Sequence, residues 1–510
     1  MGLSSAGDRR YLDAAAAAVL GALVCLVGVG RPSYWYDEAA TLSSVRRPLP
    51  DLLRELARVD GVHGLYYLLA KGWTGLLGTS ETALRALSAL AVGAAAALLL
   101  LLVRRLGGGR TLAATSVALL LLVPRVTWAG GEARVFALSI AAGCLLVLVA
   151  ARLLARPAPW RWVAVAAATT LAVHTFLYLV LLVPVVLLAH LVRPWPDETG
   201  DPGPRRRAVP LATATGLGVV LSIPFVLLVL SERDQLRRVP PIGVGTGEAI
   251  VTQQWYLLPT TVSSAHLDRT WWLPGGVALA VLLTGLAVLG ASTRSRLAVL
   301  GVLWALLPML VVLVSSAVLQ PTYTQRYWGS SAPGLALLAA LGLQRLASAV
   351  PRRADGARAA VAGVLVLAVV CALPGLVAQR EVRAKNARDY RSAAQLVEAW
   401  ADPGEAILFG PNPRHLGTTR SVAAAYPAPF ADLRDVGLGR TGAATATLWG
   451  TEAGPDETGR RLAGARTVLL LSESDGPRPT PDEGRVLRDG GWRAEQEWRT
   501  SVWTLTRYRR

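Results

Sequence analysis

Long apolar runs separated by short polar stretches dominate the first three quarters of the chain. They can be read at roughly 13–30, 82–103, 111–128, 135–151, 161–173, 175–192, 208–230, 271–291, 296–318, 330–348 and 358–378. Each is near the length that crosses a hydrocarbon core of ~30 Å, so the pattern predicts a polytopic membrane protein with about eleven transmembrane helices. Residues 161–193 count as two because a single helix would extend roughly 50 Å, too long for a bilayer without extreme tilt. His174 then marks the bend. LYYLLAKGWTGLL at 65–77 is short and interrupted by Lys71, Gly72 and Gly75, which predicts an interfacial helix rather than a span. The Pro- and Gly-rich DETGDPGP at 197–204 reads as a cytoplasmic connection.

The pattern changes at about Gln379. Apolar runs shorten to EAILFG and RTVLLLS, a helical periodicity appears in DYRSAAQLVEAWA, and WRAEQEWRT followed by SVWTLTRYRR reads as a strand pair. The expected organisation is a transmembrane domain over 1–378, with an outer loop at 31–81, followed by a small soluble α/β domain over 379–510.

Charge supplies an orientation. Arg9/Arg10, Arg104/Arg105/Arg110, Arg152/Arg156/Arg161, Arg205/Arg206/Arg207, Arg294/Arg296 and Arg352/Arg353/Arg358 all fall on the side of the N-terminus, which the positive-inside rule makes cytoplasmic. The 31–81 loop carries Arg46, Arg47, Arg54 and Arg58 on the other side, but long loops follow the rule less strictly. The C-terminal domain is then extracytoplasmic. The formal charge of +18 is scattered in small groups between apolar runs rather than gathered on one amphipathic face, which argues against nucleic-acid binding. Cys25, Cys144 and Cys371 all lie in apolar spans and read as small buried hydrophobes. The first apolar run follows paired arginines without a clear small-x-small cleavage site, so it is expected to remain as a first helix.

On this topology the polar outliers gather at the outer face: Asp37/Glu38, His63, Glu132/Arg134, His174, the 231–270 loop and Arg326/Tyr327. Ionisable groups at the edges of membrane helices are costly unless they face water or a partner, so their convergence suggests a site. Each alone also has a structural reading. Asp37 and Glu38, in SYWYDEAATLSS, suit either the acidic first turn of a helix or a general base and its partner held under Tyr34, Trp35 and Tyr36. In WAGGEARVFAL, Glu132 and Arg134 suit a turn with a snorkelling arginine, or an anion site at a helix start. Arg326 in YTQRYWGSS has the same two readings. His174 alone suits a satisfied helix-end residue, and His63 and His266 carry no metal-ligand spacing with it. A Walker loop, a GxSxG elbow and a CxxC in a convincing context are all lacking, which argues against an ATP-driven pump.

Taken in order, Asp37-Glu38, HGLYYLLAKGW at 63–73, SETALRALSAL at 80–90, GEARVFAL at 131–138, HTFLYL at 174–179 and QRYWGSSAPGLALL at 325–338 resemble the GT-C fold glycosyltransferases that use lipid-linked sugars. The likeness is to the group of bacterial aminoarabinose transferases and protein O-mannosyltransferases, of actinobacterial type, and covers roughly residues 13–350. Gly64 stands where that group usually has proline, and Gly130-Gly131 where it usually has an aromatic-rich SQ.

The resemblance implies transfer of a sugar from a polyprenyl phosphate to an acceptor on the outer face of the cytoplasmic membrane, usually with inversion. It implies Asp37 as base, Glu38 as its partner or the acceptor's, Arg134 and Arg326 on the donor phosphate, and Tyr36, His63, Glu132, His174 and Tyr327 lining the pocket. Mannose is the first expectation for the sugar and arabinofuranose the second. The acceptor stays open among glycan, glycolipid and protein, with membrane lipids as surroundings. So does metal dependence: Asp37 and Glu38 suit Mg2+ or Mn2+, but no second cluster of oxygen ligands is evident. A lipid or polysaccharide flippase or transporter is the alternative from another class. It should place ionisable residues near the bilayer midplane on broken helices, whereas here they sit at the span edges.

Overall fold

The computed structural model describes residues 2–155, 158–195, 204–232, 239, 241–259, 270–349, 356–385, 387–412, 417–474 and 479–510. Residues 197–203 of the proposed connection, much of the 231–270 loop including His266, and Arg156, Arg352 and Arg353 lie outside them. The chain divides into two compact units. One comprises Met1–Val29, Val62–Tyr66 and Thr82–Arg380, and the other Gly30–Gly61, Tyr67–Glu81 and Glu381–Arg510.

The first unit is helical. Its elements include α1 (Gly2–Leu26), and, after α2 to α4 described below, α5 (Glu81–Arg105), α6 (Arg110–Leu122), α7 (Pro124–Gly130), α8 (Phe136–Ala155), α9 (Pro159–Thr175), α10 (Leu182–Val192), α11 (Pro204–Leu221) and α12 (Ile223–Ser231). It continues through α13 (Val244–Thr252), α14 (Leu273–Ala291), α15 (Arg296–Val318), α16 (Ala332–Ala349) and α17 (Gly356–Ala378). Among the described residues six helices are long and apolar enough to cross a membrane, or up to eight if two bent pairs each form one span. The apolar runs therefore become helices, but the expected count of eleven spans is not established.

The breaks have local causes. Pro124 lacks the N–H that would continue α6, and α6 and α7 meet at 72°. Pro224 stands near the start of α12, which bends 47° from α11. The 161–193 segment breaks at Phe176, one residue past α9, and resumes through a 3-10 turn at Leu177–Leu181. Helices α14 and α16 pack backbone to backbone. A Cβ at Gly290 would sit 1.9 Å from the Leu338 carbonyl oxygen, and one at Gly342 equally close to that of Leu286. Small residues permit this approach where lipid offers no hydrophobic drive to associate.

The second unit contains α2 (Tyr36–Val45), α3 (Leu49–Leu56), most of α4 (Gly64–Leu77), and a sheet with its helices. The strands are β1 (Ala406–Phe409), β2 (Arg434–Asp435), β3 (Thr467–Glu473), β4 (Arg493–Arg499) and β5 (Trp503–Arg509), in the order β2-β1-β3-β5-β4. β1 runs parallel to β2 and β3, while β3–β5 and β5–β4 are antiparallel. AILF and VLLL are continuous apolar runs because both strand faces are buried. Ala406, Leu408, Val468 and Leu470 pack with Leu487 and Trp492 on one side. Edge strand β4 is almost wholly exposed and alternates charges through Arg493, Glu495, Glu497 and Arg499, a pattern that discourages further strand pairing. The expected terminal strand pair is this hairpin.

Candidate active site

The acidic pair stands on helix rather than loop. Tyr36–Val45 begins after extended Trp35, and Asp37 and Glu38 occupy its first turn, where the positive end of the backbone dipole favours carboxylates. Asp37 is 7% exposed and Glu38 fully buried, so neither is a solvated loop carboxylate. The Tyr36 hydroxyl accepts a 2.8 Å hydrogen bond from Trp449 Nε1. At the other end of α2, Lys71 Nζ donates to the carbonyls of Val45 (3.1 Å) and Arg47 (2.5 Å), supplying a cation where the helix has carbonyls to spare. Tyr67 donates to Asp60 at 2.8 Å, holding the turn before α4.

The expected phosphate ligands lie in the other unit. Glu132 and Arg134 occupy the tight turn between α7 and α8 and are 3% and 5% exposed, with Arg134 N donating to Glu132 O at 2.9 Å. Gly130 is dictated by packing: a Cβ there would lie 2.4 Å from Cys25 Sγ and 2.9 Å from Val92 Cγ2. The departure from the SQ pattern thus accompanies a close approach of α1 and α5. His63 ends a single 3-10 turn, Gly61–His63, and is 8% exposed.

Arg326 is the second residue of the 3-10 segment Gln325–Ser331. Its guanidinium lies over the rings of Tyr327 (5.6 Å) and Phe136 (5.9 Å). Tyr327 in turn touches Phe136, Phe176 and Tyr178, with ring centroids 5.5–5.9 Å apart. This gathers the start of α8, the α9–α10 break and the 325–331 turn around one aromatic cluster. His174 has different neighbours: its Nδ1 is 2.9 Å from Thr170 O and its ring stacks on Phe225 at 4.6 Å. Phe176, two residues on, supplies the ring contact with Tyr327.

Sequence reasoning missed Arg125. It is 2% exposed, donates through Nη2 to Gln253 O (2.6 Å) and Nε to Gln254 O (3.2 Å), and its own N–H donates to Trp255 O (2.9 Å). Gln253 accepts from Gln325 at 2.7 Å, and Gln254 from Tyr323 at 3.0 Å. Glu132 and Arg326 are both close enough to act electrostatically on Arg125. An arginine inside an apolar run was the available signal.

Among the described residues no group of three or more His, Cys, Asp or Glu side chains comes together as a metal set.

Apolar helices in this order, with a small C-terminal sheet, have the GT-C glycosyltransferase fold, and the protein is an integral membrane protein. It is similar to ArnT from Cupriavidus metallidurans in the apo state, with a TM-score of 0.59, 15% identity and 98% of both chains covered. With the same enzyme bound to undecaprenyl phosphate the TM-score is 0.58, at 15% identity over 96% of both chains. Arabinofuranosyltransferase AftD from Mycobacteria gives a TM-score of 0.55 at 15% identity, covering 97% of this chain and 39% of that one. At this identity the likeness is one of fold. No family model matches the sequence, and no curated protein matches it.

Proposed function

We propose that the protein is an inverting glycosyltransferase that moves a sugar from a polyprenyl-phosphate donor to an acceptor on the outer face of the cytoplasmic membrane. The observation that carries this reading is the likeness over nearly the whole of both chains to ArnT, itself solved with undecaprenyl phosphate. Mannose is the proposed sugar. Arabinofuranose is the second reading, favoured by the likeness to AftD. The N-terminus is proposed to be cytoplasmic, and the reaction and C-terminal domain extracytoplasmic.

The chemistry asks little of the leaving group, which departs as polyprenyl phosphate without needing a proton. The acceptor oxygen or nitrogen attacks the anomeric carbon, the bond from that carbon to the phosphate oxygen breaks with its electron pair, and the acceptor proton passes to a base. Asp37 is the proposed base, with Glu38 orienting it or the acceptor. Arg134 and Arg326 are the proposed partners of the phosphate as its charge grows, since guanidinium groups keep their charge and match phosphate oxygens in pairs. Tyr36, His63, Glu132, His174 and Tyr327 are proposed to line the pocket.

The test uses membranes containing wild type or Asp37→Asn at matched expression, supplied with polyprenyl-phosphate [14C]mannose. Label should enter endogenous acceptors with wild type and be lost in the variant, and the labelled product would identify the acceptor. Equal incorporation above an empty-membrane control removes Asp37 from the role of base. No incorporation by either moves the test to the arabinose donor, and failure there favours a transporter.

A further inference from the structure

The helix that carries Asp37 and Glu38 is gripped from one side by residues more than 390 positions away. Trp449 Nε1 donates to Tyr36 Oη at 2.8 Å with the two rings 5.2 Å apart, Ser43 Oγ donates to Leu448 O at 2.9 Å, and Arg47 Nη2 donates to Thr447 O (2.7 Å) and Leu448 O (3.0 Å). Arg47 Nη1 adds a longer bond to Gly442 O at 3.3 Å. Tyr36, Ser43 and Arg47 are spaced seven and four apart, so they form one stripe along the helix and its extension. Asp37 and Glu38 are turned about 100° and 200° from that stripe, so the grip need not cover them.

The gripping loop is itself stiff. Gly442–Thr445 is a short helix whose N-cap Thr441 accepts from Ala444 N, and Ala446 ends it in the left-handed region. Thr447 Oγ1 accepts from Gly450 N at 3.1 Å. Gly450 has φ +85°, and a Cβ there would lie 2.2 Å from Arg440 O. Gly439 N donates to Thr451 O and Thr451 N to Arg440 O, closing the loop at its base. A second hold acts at the start of the helix, where Tyr34 N donates to the Tyr426 hydroxyl at 3.0 Å.

We propose that the Thr441–Gly450 loop is a positioning clamp for α2, with Trp449 as its positioning residue, so that the C-terminal domain serves the reaction by fixing the helix that presents Asp37 and Glu38. The mechanical part stands on these contacts, and the catalytic part rests on the proposed function. A reacting group displaced by about 1 Å can lose about a hundredfold in rate, so a clamp on this helix matters more than its few hydrogen bonds suggest.

The test makes Trp449→Phe, Tyr36→Phe, their double variant and the milder Ser43→Ala in the full-length protein in nanodiscs. Hydrogen–deuterium exchange is followed at 36–45 and, as a folding control, at β1 and β3. The clamp predicts exchange at 36–45 faster by about fivefold to tenfold in each single variant with β1 and β3 unchanged, and a Trp449/Tyr36 double no faster than either single, because one bond is lost. With polyprenyl-phosphate [14C]mannose, kcat of Trp449→Phe and Ser43→Ala, neither of them placed in the pocket, should fall by a similar factor while KM for the donor stays within about twofold. Unchanged exchange at 36–45 in Trp449→Phe and Ser43→Ala overturns the clamp, as do additive effects in the double. Faster exchange with unaltered kcat overturns its catalytic part. If wild type transfers no sugar, the proposed function fails and the exchange data still decide the clamp.

Discussion

Arg47 Nη1 lies 2.8 Å from Glu55 Oε2, with the two side chains only 8% and 0% exposed. The pair joins the end of α2 to α3, and Ser44 Oγ completes it by donating to Glu55 Oε1 at 2.7 Å. Burial holds the Glu55 carboxyl above its ordinary value, against the opposing pull of Ser44 and Arg47, and burial likewise lowers Arg47. Desolvation therefore outweighs attraction for both partners, so the pair's value lies in each satisfying the other. Glu55→Leu should destabilise by about 3 kcal/mol because it leaves a buried guanidinium without its counter-charge. Adding Arg47→Met should recover part of this, not all, since Arg47 also donates to the carbonyls of Gly442, Thr447 and Leu448. Thermal midpoints of the four proteins check this, and a double variant as unstable as the sum of the singles would refute it.

Arg326 tests the proposed phosphate contact. Arg326→Met keeps an unbranched apolar side chain beside Phe136 and Tyr327 but removes the guanidinium that lies over their rings, and with it the charge. Transfer should fall by about a hundredfold, and Arg326→Lys should recover only part, since an ammonium cannot present paired donors. Turnover on polyprenyl-phosphate [14C]mannose at matched expression gives the comparison. A fully active methionine variant would show that Arg326 only packs on aromatic rings.

Arg125 predicts a stability loss. Arg125→Met leaves the buried carbonyls of Gln253 and Gln254 without their donor, which should cost about 2–4 kcal/mol, with Arg125→Lys falling between it and wild type. Melting of the purified protein in detergent ranks the three. A methionine variant that melts with wild type would mean water or a neighbour replaces the guanidinium.

Legibility in the sequence followed the range of the forces involved. Apolar runs such as 296–318 and 358–378 were plain because a spanning helix must be apolar along most of its own length, and α15 and α17 coincide with them within two residues. The shortening of the apolar runs to EAILFG and RTVLLLS was legible as the change to a small α/β domain, in which they form β1 and β3. Arg125 was hidden because the 111–128 run was read as one uninterrupted span, although Pro124 marked its bend. Nothing local to Tyr36 could announce Trp449, 413 positions away. Asp37 and Glu38 could be singled out as a pair, yet their full or near burial depends on what the fold lays over α2.

Gly130 offers a packing test. Gly130→Ser puts a side chain where Cys25 Sγ would be 2.4 Å from its Cβ, and should destabilise by about 2 kcal/mol through overpacking. Cys25→Ala removes that sulfur and should relieve part of the loss, leaving the Cys25 Cβ and Val92 Cγ2 contacts at 2.9 Å. Melting of both singles and the double supplies the coupling. Purely additive losses would mean the strain lies elsewhere.

Glu483 gives the C-terminal domain a pH dependence. Glu483 N donates to Thr480 Oγ1 at 3.1 Å, and Thr480 N donates back to Glu483 Oε2 at 2.7 Å, a reciprocal cap at the start of Pro481–Asp489. Burial nevertheless pushes the Glu483 carboxyl up to about 7, with Glu452 adding to the rise and the cap bonds opposing it. The unfolded chain titrates near ~4.3. Because the folded value is the higher one, this group's contribution to stability is complete below about pH 4.3 and is lost as pH rises through about 7. Glu483→Gln keeps an acceptor for the Thr480 N–H but cannot ionise. It should match wild type near pH 4 and exceed it by on the order of 3–4 kcal/mol at pH 8. Protection factors for β3 and for Pro481–Asp489 in the full-length protein, corrected for intrinsic exchange at each pH, read the difference directly. A glutamine variant weakened equally at both pH values would show that the cap depends on the carboxylate's charge and that Glu483 is ionised in the fold.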